Sequence, residues 1–564
     1  MFLASSLKHR LICIENISEL NQEFLKEFSI DDISSYSKFF LTTNQNFTKF
    51  NNTKNRKVLV VDDGRFSSII NDLFRVQILQ SISGSKKQNK TSAIISKVKS
   101  FKWVFLLFIS TFLVVSVSNQ LLRNLVVNFL SFFYLLYLIN LLFRVVCFLR
   151  LFWEEILNKL KRKTIYNVEI DDLDTVTIVC CLYKESTVIA QLIKSISRVD
   201  YPKDNIKYFI VIEDGDDLTK NSLNSIDLPS NLLILTVPNG EPRTKGRALN
   251  YALLFTDTKY IGCFDAEDIP SADQVRKSLI SLNLDPKIAA TQCGLSYYNH
   301  NYNILTTLFN LEYILWFSYV LRGCSLLKMN IPLGGSSNFF KTDIIKKIGG
   351  WDANNVTEDL ELAVRLTSYG YKINFTNSET LEESPHRVMD WMRQRTRWIK
   401  GYIKTYVDYL FDFTSTRNIK NSGISNKIMF HLIVGFNAIA FIFFPLILYD
   451  TIKIIYNGEF LEVLESVIDV QKKPYFKAIL NKNWSFVLYK LSLYLSSLIF
   501  FLMAIFVIFI AFIRKYNLIR ILISIFIYPF YFILHSIATY RAVWHLFTKP
   551  EYLWEKTPHS QVMR

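Results

Sequence analysis

At 564 residues the chain has room for about three to four domain-sized pieces. Half of its residues are hydrophobic, including 46 Phe and 29 Tyr, and the excess falls in blocks, which excludes an ordinary soluble composition and fits membrane helices joined to a globular domain. The net charge of +16 comes largely from basic residues beside those blocks, where they set membrane orientation and meet anionic lipid, so nucleic acid is not an expected partner.

Residues 1–82 read as an N-terminal cytoplasmic region, a small regulatory module built around the strand-like Val58-Leu59-Val60-Val61, with an amphipathic helix after Asp62-Asp63-Gly64. Met1-Phe2-Leu3 turns polar by Lys8, too short an apolar run for a signal peptide. A basic linker spans 83–102, and two transmembrane helices with a tight turn near Asn119 to Arg123 are expected over 103–149. Lysines and arginines flank that pair on both sides, which puts the following region in the cytoplasm. The seven cysteines have neither metal-ligand spacing nor the density of a disulfide scaffold, and fit packing roles in a reducing compartment.

From 165 to 415 strand-like and helical runs alternate, which predicts an α/β domain with a mostly parallel sheet covered on both faces. Strands are expected at Val176–Leu182, Tyr208–Ile212, Leu232–Val237, Tyr260–Phe264 and Ile288–Cys293, with a helix over Glu185–Ile196. Ligands of such sheets bind beyond the carboxyl ends of the strands. About three transmembrane or interface helices follow over 428–540, then a tail over 541–564. Simple counting puts the tail outside, and Pro529 leaves the last run open between a span and a re-entrant segment.

Chemistry concentrates in five places. Glu213-Asp214-Gly215-Asp216 follows a strand, where a carboxylate can accept hydrogen bonds from a ribose or base, although a solvated acidic turn would look the same. Asp265-Ala266-Glu267-Asp268 follows another strand, and closely spaced carboxylates there suit Mg²⁺ or Mn²⁺; the alternative is an acidic first helical turn. Lys245, just before a helical run, can meet phosphate. Thr357 reads as a cap, with Glu358 and Asp359 in the first turn of its helix, and a catalytic reading makes Asp359 a general base. Gln394, Arg397 and Trp398 share one helix face, Trp398 able to stack on a sugar while Arg395 and Arg397 reach diphosphate; the segment from Trp391 to Lys400 also has the character of a helix at a membrane surface.

Taken together over residues 170–560, these motifs resemble membrane-bound, inverting family 2 glycosyltransferases, the group containing cellulose and hyaluronan synthases. Asp265-Ala266-Glu267-Asp268, Pro332-Leu333-Gly334-Gly335-Ser336-Ser337-Asn338, Val356-Thr357-Glu358-Asp359 and Trp554-Glu555-Lys556-Thr557-Pro558-His559 are most similar to a bacterial branch of phage-receptor-associated inner-membrane transferases implicated in exopolysaccharide synthesis. The resemblance implies a GT-A-type, Rossmann-like domain inserted between transmembrane helices of the bacterial inner membrane, with that domain cytoplasmic. It implies a UDP-sugar donor and a polysaccharide acceptor, or alternatively a lipid acceptor or a non-catalytic scaffold. By motif, Glu213, Asp214 or Asp216 meets the uridine, and Lys245 and Asp265 complete the donor site. Asp265 and Glu267, with Asp268 as neighbour, hold Mg²⁺ or Mn²⁺; Asp359 with Glu358 is the catalytic pair; and Gln394, Arg395, Arg397 and Trp398 meet acceptor and diphosphate.

Overall fold

The computed structural model describes residues 11–14, 38–43, 56–61, 79, 82, 120–160, 174–411, 423–457, 506, 510, 514, 516–550, 553 and 555. Near the N-terminus, β1 (Leu11–Ile14), β2 (Lys38–Thr43) and β3 (Arg56–Val61) form a small sheet in that order, β1 antiparallel to β2 and β2 parallel to β3. The expected strand at Val58–Val61 is therefore present. The amphipathic helix, the basic linker and the first apolar run lie outside the described residues, apart from two positions in the first of these.

Helix α1 (Gln120–Leu160) is one continuous element of 41 residues. It passes through the position expected for a turn at 120–123 and runs eleven residues beyond the expected end at 149, because Arg150 and Glu154 pair at i, i+4 across 2.9 Å and carry the helix out of the apolar stretch.

The central domain is an eight-stranded mixed α/β sheet in the order β6-β5-β4-β7-β10-β9-β11-β8. Apolar runs make β4 (Val176–Leu182), β5 (Ile206–Glu213), the half-buried edge strand β6 (Leu232–Val237) and β7 (Tyr260–Phe264), all mutually parallel. The helices α2 (Ile189–Ile196), α3 (Asp217–Asn224) and α4 (Lys245–Phe255) fall between them. The chain then makes the two-residue β8 (Ile269–Pro270), α5 (Gln274–Asn283) and β9 (Ile288–Tyr297). Direction mixes in this half, since β10 (Asn338–Lys341) runs antiparallel between β7 and β9.

Between β9 and β10 lies α6 (Ile304–Leu326), whose middle widens into π-helical turns over Leu315–Leu321. It is long and apolar enough to cross a membrane, yet 72% of its most apolar window is buried in the protein. A helix of that kind inside the 165–415 region was not expected from the sequence. Gly323 lets it approach α1 closely, because a Cβ there would fall 2.7 Å from Cys147 Cβ. The Cys147 and Cys324 thiols sit 3.6 Å apart at this crossing, and the six cysteines from Cys147 to Cys324 are free.

After α7 (Thr342–Ile348) and α8 (Glu358–Ser368), β11 (Lys372–Glu382) pairs parallel with β9 and leads into the 24-residue α9 (Val388–Phe411). Two further helices, α10 (Ile424–Phe436) and α11 (Asn437–Tyr456), bend by 72° at their junction. Last comes α12 (Leu518–Thr548), packed on α9 and α11. Pro529 does not interrupt it, since the packed neighbours hold the helix through the missing N–H. Among the described residues three helices are long and apolar enough to cross a membrane, or four if α10 and α11 together count as one. Phe132, Leu149, Phe526 and Phe530 are among the large side chains that α1 and α12 leave exposed.

Lys400 Nζ on α9 donates to Pro550 O at 2.6 Å, and Arg541 pairs with Glu555 at 2.6 Å, so the segment just after α12 is held against α9.

Candidate active site

The carboxyl ends of β4 and β7 flank the point where the parallel strand order reverses, with β5 and β6 to one side and β7 to the other. A crevice forms there in doubly wound sheets. In this chain it opens into a cavity of about 420 Å³ that continues between the apolar helices. Lys245, Asp265, Glu267, Glu358, Asp359, Gln394, Arg395, Arg397 and Trp398 all line it, so residues spread over 154 positions of sequence meet in one space.

Lys245 opens α4, with Thr244 as its cap, and its ammonium donates to Gly335 O at 2.7 Å and to the Asp265 carboxylate. Burial works against the charge on Lys245, but Asp265 and Glu358 hold its pKa well above the usual lysine value. Gly335 also borders Asp359, where a Cβ would lie 3.9 Å from Asp359 Oδ2. Lys245, Asp265 and Asp359 are therefore drawn around one loop, Gly334-Gly335-Ser336. Burial and the neighbouring Glu358 push the Asp359 carboxyl up to about 7. Arg397, half-buried beside them, interacts with Glu358, Asp265 and Asp359.

Asp268 belongs elsewhere. Its Oδ2 accepts from the Asp265 backbone N–H at 2.8 Å and from the Ser336 hydroxyl, it is 1% exposed, and it does not line the cavity. Through Oδ2 it shapes the loop that presents Asp265 and Glu267, while its buried Oδ1 has no hydrogen-bond partner among the described residues.

The Glu213 region also divides. Glu213 pairs with the fully buried Arg247 at 2.7 Å and borders a small recess shared with Tyr183, Arg243 and Lys245. Burial pushes its carboxyl up to about 7 even with Arg247 opposing. Asp216 caps α3, accepting from the Thr219 N–H and hydroxyl and from the Lys184 N–H at 2.5 Å. Asp214 is exposed. None of the three lines the main cavity. Asp216→Ala is expected to lower stability by about 1 kcal/mol, the ordinary worth of a lost cap, with nucleotide affinity unchanged in a titration. A fall in affinity would return Asp216 to the nucleoside site.

Thr357 stands at the cap position of α8, but its side chain turns to Asn355 Oδ1 instead of closing the helix end. The cause is α9: Gly401 packs so tightly on Thr357 that a Cβ would collide with its hydroxyl and methyl group. Gly401→Ala is accordingly expected to displace the Thr357 segment and cut transfer by about tenfold or more, consistent with the cost of misplacing a reacting group. Turnover equal to wild type would show that the contact does not set the position of Asp359.

On α9, Trp398 stacks with Tyr313 at 5.9 Å, while Arg395 pairs with Glu312 of α6 at 2.6 Å instead of standing clear for a diphosphate. The Arg395 guanidinium lies over the rings of Phe309, Trp391 and Trp398, 4.4–5.7 Å from their centroids. Glu312 also accepts from Tyr531 OH at 2.6 Å, and His535 Nε2 lies 3.3 Å away. Trp391 is fully buried against Tyr531 and His535 of α12, so this face of α9 packs on protein, while Val388 and Met389 at its start stay exposed.

The sequence pointed to Gly335 only as part of a motif and missed Glu312, Tyr313, Glu382, Glu383 and Tyr402, all of which line the cavity. Glu382 ends β11 and Glu383 follows it, a strand-end position that the polar run of β11 hid in the sequence.

A mixed sheet with acidic loops and cations converging at its strand ends has the anatomy of a nucleotide-sugar transferase. Residues 260–534 match the family model described as glycosyl transferase family group 2. The Probable glycosyltransferase YdaM of Bacillus subtilis (strain 168) is 27% identical over 288 residues, covering 50% of this chain and 67% of that protein. The poly-beta-1,6-N-acetyl-D-glucosamine synthase of Staphylococcus aureus (strain COL) is 26% identical over 274 residues, 48% of this chain and 63% of that protein. The match thus spans about two thirds of these relatives' length. The solved mannosyltransferase PcManGT of Pyrobaculum calidifontis, in complex with GDP-Man and Mn²⁺, covers 64% of this chain and 98% of its own at 18% identity and a TM-score of 0.38, too slight a likeness to bear on site or substrate. Over residues 260–534 the chain is similar to family 2 glycosyltransferases, and it is a transferase enzyme.

Proposed function

We propose that the protein is a membrane-embedded, inverting glycosyltransferase that moves a sugar from a UDP-sugar to a growing polysaccharide, with export through its own helices. The observation that carries this reading is the single cavity that joins Lys245, Asp265, Asp359 and Trp398 to side chains of α1, α10, α11 and α12. An acceptor stacked on Trp398 presents its hydroxyl toward Asp359, which takes the proton as the oxygen attacks the anomeric carbon. One displacement inverts that carbon. Lys245 and Arg397 meet the negative charge that develops on the departing diphosphate.

Asp265 and Glu267 fit a divalent cation: both offer hard oxygen donors, and the carboxylates of Glu358, Asp359 and Glu382 line the same cavity. Among the described residues no group of three or more His, Cys, Asp and Glu is arranged to hold a metal, so substrate phosphate would complete the set. Mg²⁺ or Mn²⁺ held there would supply Lewis-acid stabilisation of the leaving diphosphate.

A second reading, transfer of one sugar to a lipid acceptor, is favoured by the apolar walls of the outer half of the cavity, among them Leu141, Phe148, Phe441 and Phe532. Purified protein screened against UDP-sugars, with Mg²⁺ and Mn²⁺ compared, should release UDP from one donor in a cation-dependent way. Long products support polymer synthesis, and mono-glycosylated lipid alone would replace it with the second reading. No nucleotide release from any donor would favour a non-catalytic scaffold.

A further inference from the structure

Arg144 occupies the middle of the Ser131–Leu157 stretch of α1, thirteen residues from either end, and lines the cavity. Its Nε donates to Asn140 Oδ1 at 3.0 Å and its Nη2 to Asn437 Oδ1 at 3.1 Å, with the Trp316 ring centroid 5.9 Å away. Asn140 is itself held by the Leu432 carbonyl at 3.3 Å. These partners are all neutral, so they fix the orientation of the guanidinium and leave its charge.

The carboxylates of the apolar helices are engaged elsewhere. Glu154 pairs with Arg150, Glu155 with Arg322 and Glu312 with Arg395, while Asp450 accepts from Tyr134 OH. Helix α12 contains no Asp or Glu, nor do the apolar runs Trp103–Ser118 and Leu491–Ile513. No membrane-length segment therefore offers Arg144 a spare counter-ion. A charge at membrane depth is costly, and where one is kept it pairs or marks a ligand path.

We propose that Arg144, oriented by Asn140 and Asn437, binds the oxyanion headgroup of a lipid phosphate that enters as the acceptor. The planar guanidinium fork matches phosphate oxygens. The apolar walls of the cavity, including Leu141, Phe436, Phe441 and Phe532, suit the hydrocarbon of a lipid that carries or receives the sugar. The proposal rests on the reading of this cavity as the acceptor site, but its test measures binding, so absence of sugar transfer would bear on that reading alone.

The full chain in phosphatidylcholine nanodiscs would be doped with polyprenyl phosphate or with the uncharged polyprenol, and retained lipid counted by native mass spectrometry. Polyprenyl phosphate should be retained and polyprenol not. Arg144→Gln should weaken retention at least tenfold, and Arg144→Lys should restore part of it. Asn437→Asp sets a fixed counter-ion beside an intact Arg144 and should weaken retention to a similar degree, with the elution volume and melting midpoint of wild type. Equal retention of phosphate and alcohol, or wild-type retention by both Arg144→Gln and Asn437→Asp, would overturn the proposal. Displacement by inorganic phosphate at equal concentration would identify a free anion as the ligand and overturn the lipid assignment.

Discussion

Asp359→Asn should cut sugar transfer by about 10²–10⁴-fold, the range that a positioned general base contributes, while a nucleotide titration stays close to wild type. The amide keeps the shape of the side chain but cannot accept the acceptor's proton. The pH profile makes the same claim independently. Burial first, and Glu358 second, push the Asp359 carboxyl up to about 7, so below that pH the group is protonated and cannot act as base. The transfer rate should therefore rise with pH through about 7. Replacing Glu358 with Gln removes a neighbouring negative charge and should move that limb to lower pH. The linkage to stability has the opposite sense: with the carboxyl raised above its unfolded value of ~3.9, the folded state loses stability as pH rises from there through 7. Wild-type turnover by the Asn variant would remove Asp359 from the mechanism.

The strands β4 to β7 were legible because each is a largely apolar run bounded by polar turns, buried almost throughout in β4, β5 and β7 and half-buried at the edge in β6. The strand β11 was not, since its Lys-Ile-Asn-Phe-Thr-Asn-Ser-Glu run has the polar character of a loop and is held as a strand by pairing along β9. The short β10 is likewise defined by its two neighbours. In the site, the motif residues that meet in the cavity were the ones sequence could name, but sequence could not tell which way each acid faces. Asp216 and Asp268 share the spacing of ligand-binding carboxylates, yet both accept from backbone N–H groups, Asp268 within its own turn and Asp216 from its own helix and from Lys184 in the loop after β4, a competition that Asp enters wherever a helix or loop leaves donors open. Arg144 and Glu312 carried a signal that periodicity hides: a lone charge inside an apolar run must find a partner on another element, and only the fold shows which one.

Glu312→Ala should give the second large effect. Its carboxylate takes Arg395 from the acceptor helix and Tyr531 from α12, with His535 within 3.3 Å, so one group ties α6, α9 and α12 together behind Trp398. Arg395 in turn fills the space between Phe309, Trp391 and Trp398. Removing the carboxylate leaves a guanidinium 11% exposed and without its ion-pair partner, a loss of about 3 kcal/mol at the lower end for buried pairs because the cavity admits water. Trp398 then loses its backing, and transfer should fall by about 10²-fold, as misplacement by about an ångström can do. The fall should appear in the acceptor KM and in product length, with the donor KM little changed, a split that general unfolding does not produce. Glu312→Gln, which keeps one carbonyl oxygen where Glu312 Oε2 accepts from both Arg395 and Tyr531, should recover most of the stability and part of the rate. The double variant Glu312→Gln with Arg395→Gln should be less damaging than the sum of the two, since residues in one network couple by about 0.5–3 kcal/mol. Strict additivity, or equal effects on donor and acceptor KM, would reduce this knot to packing and leave Trp398 positioned by Tyr313 alone.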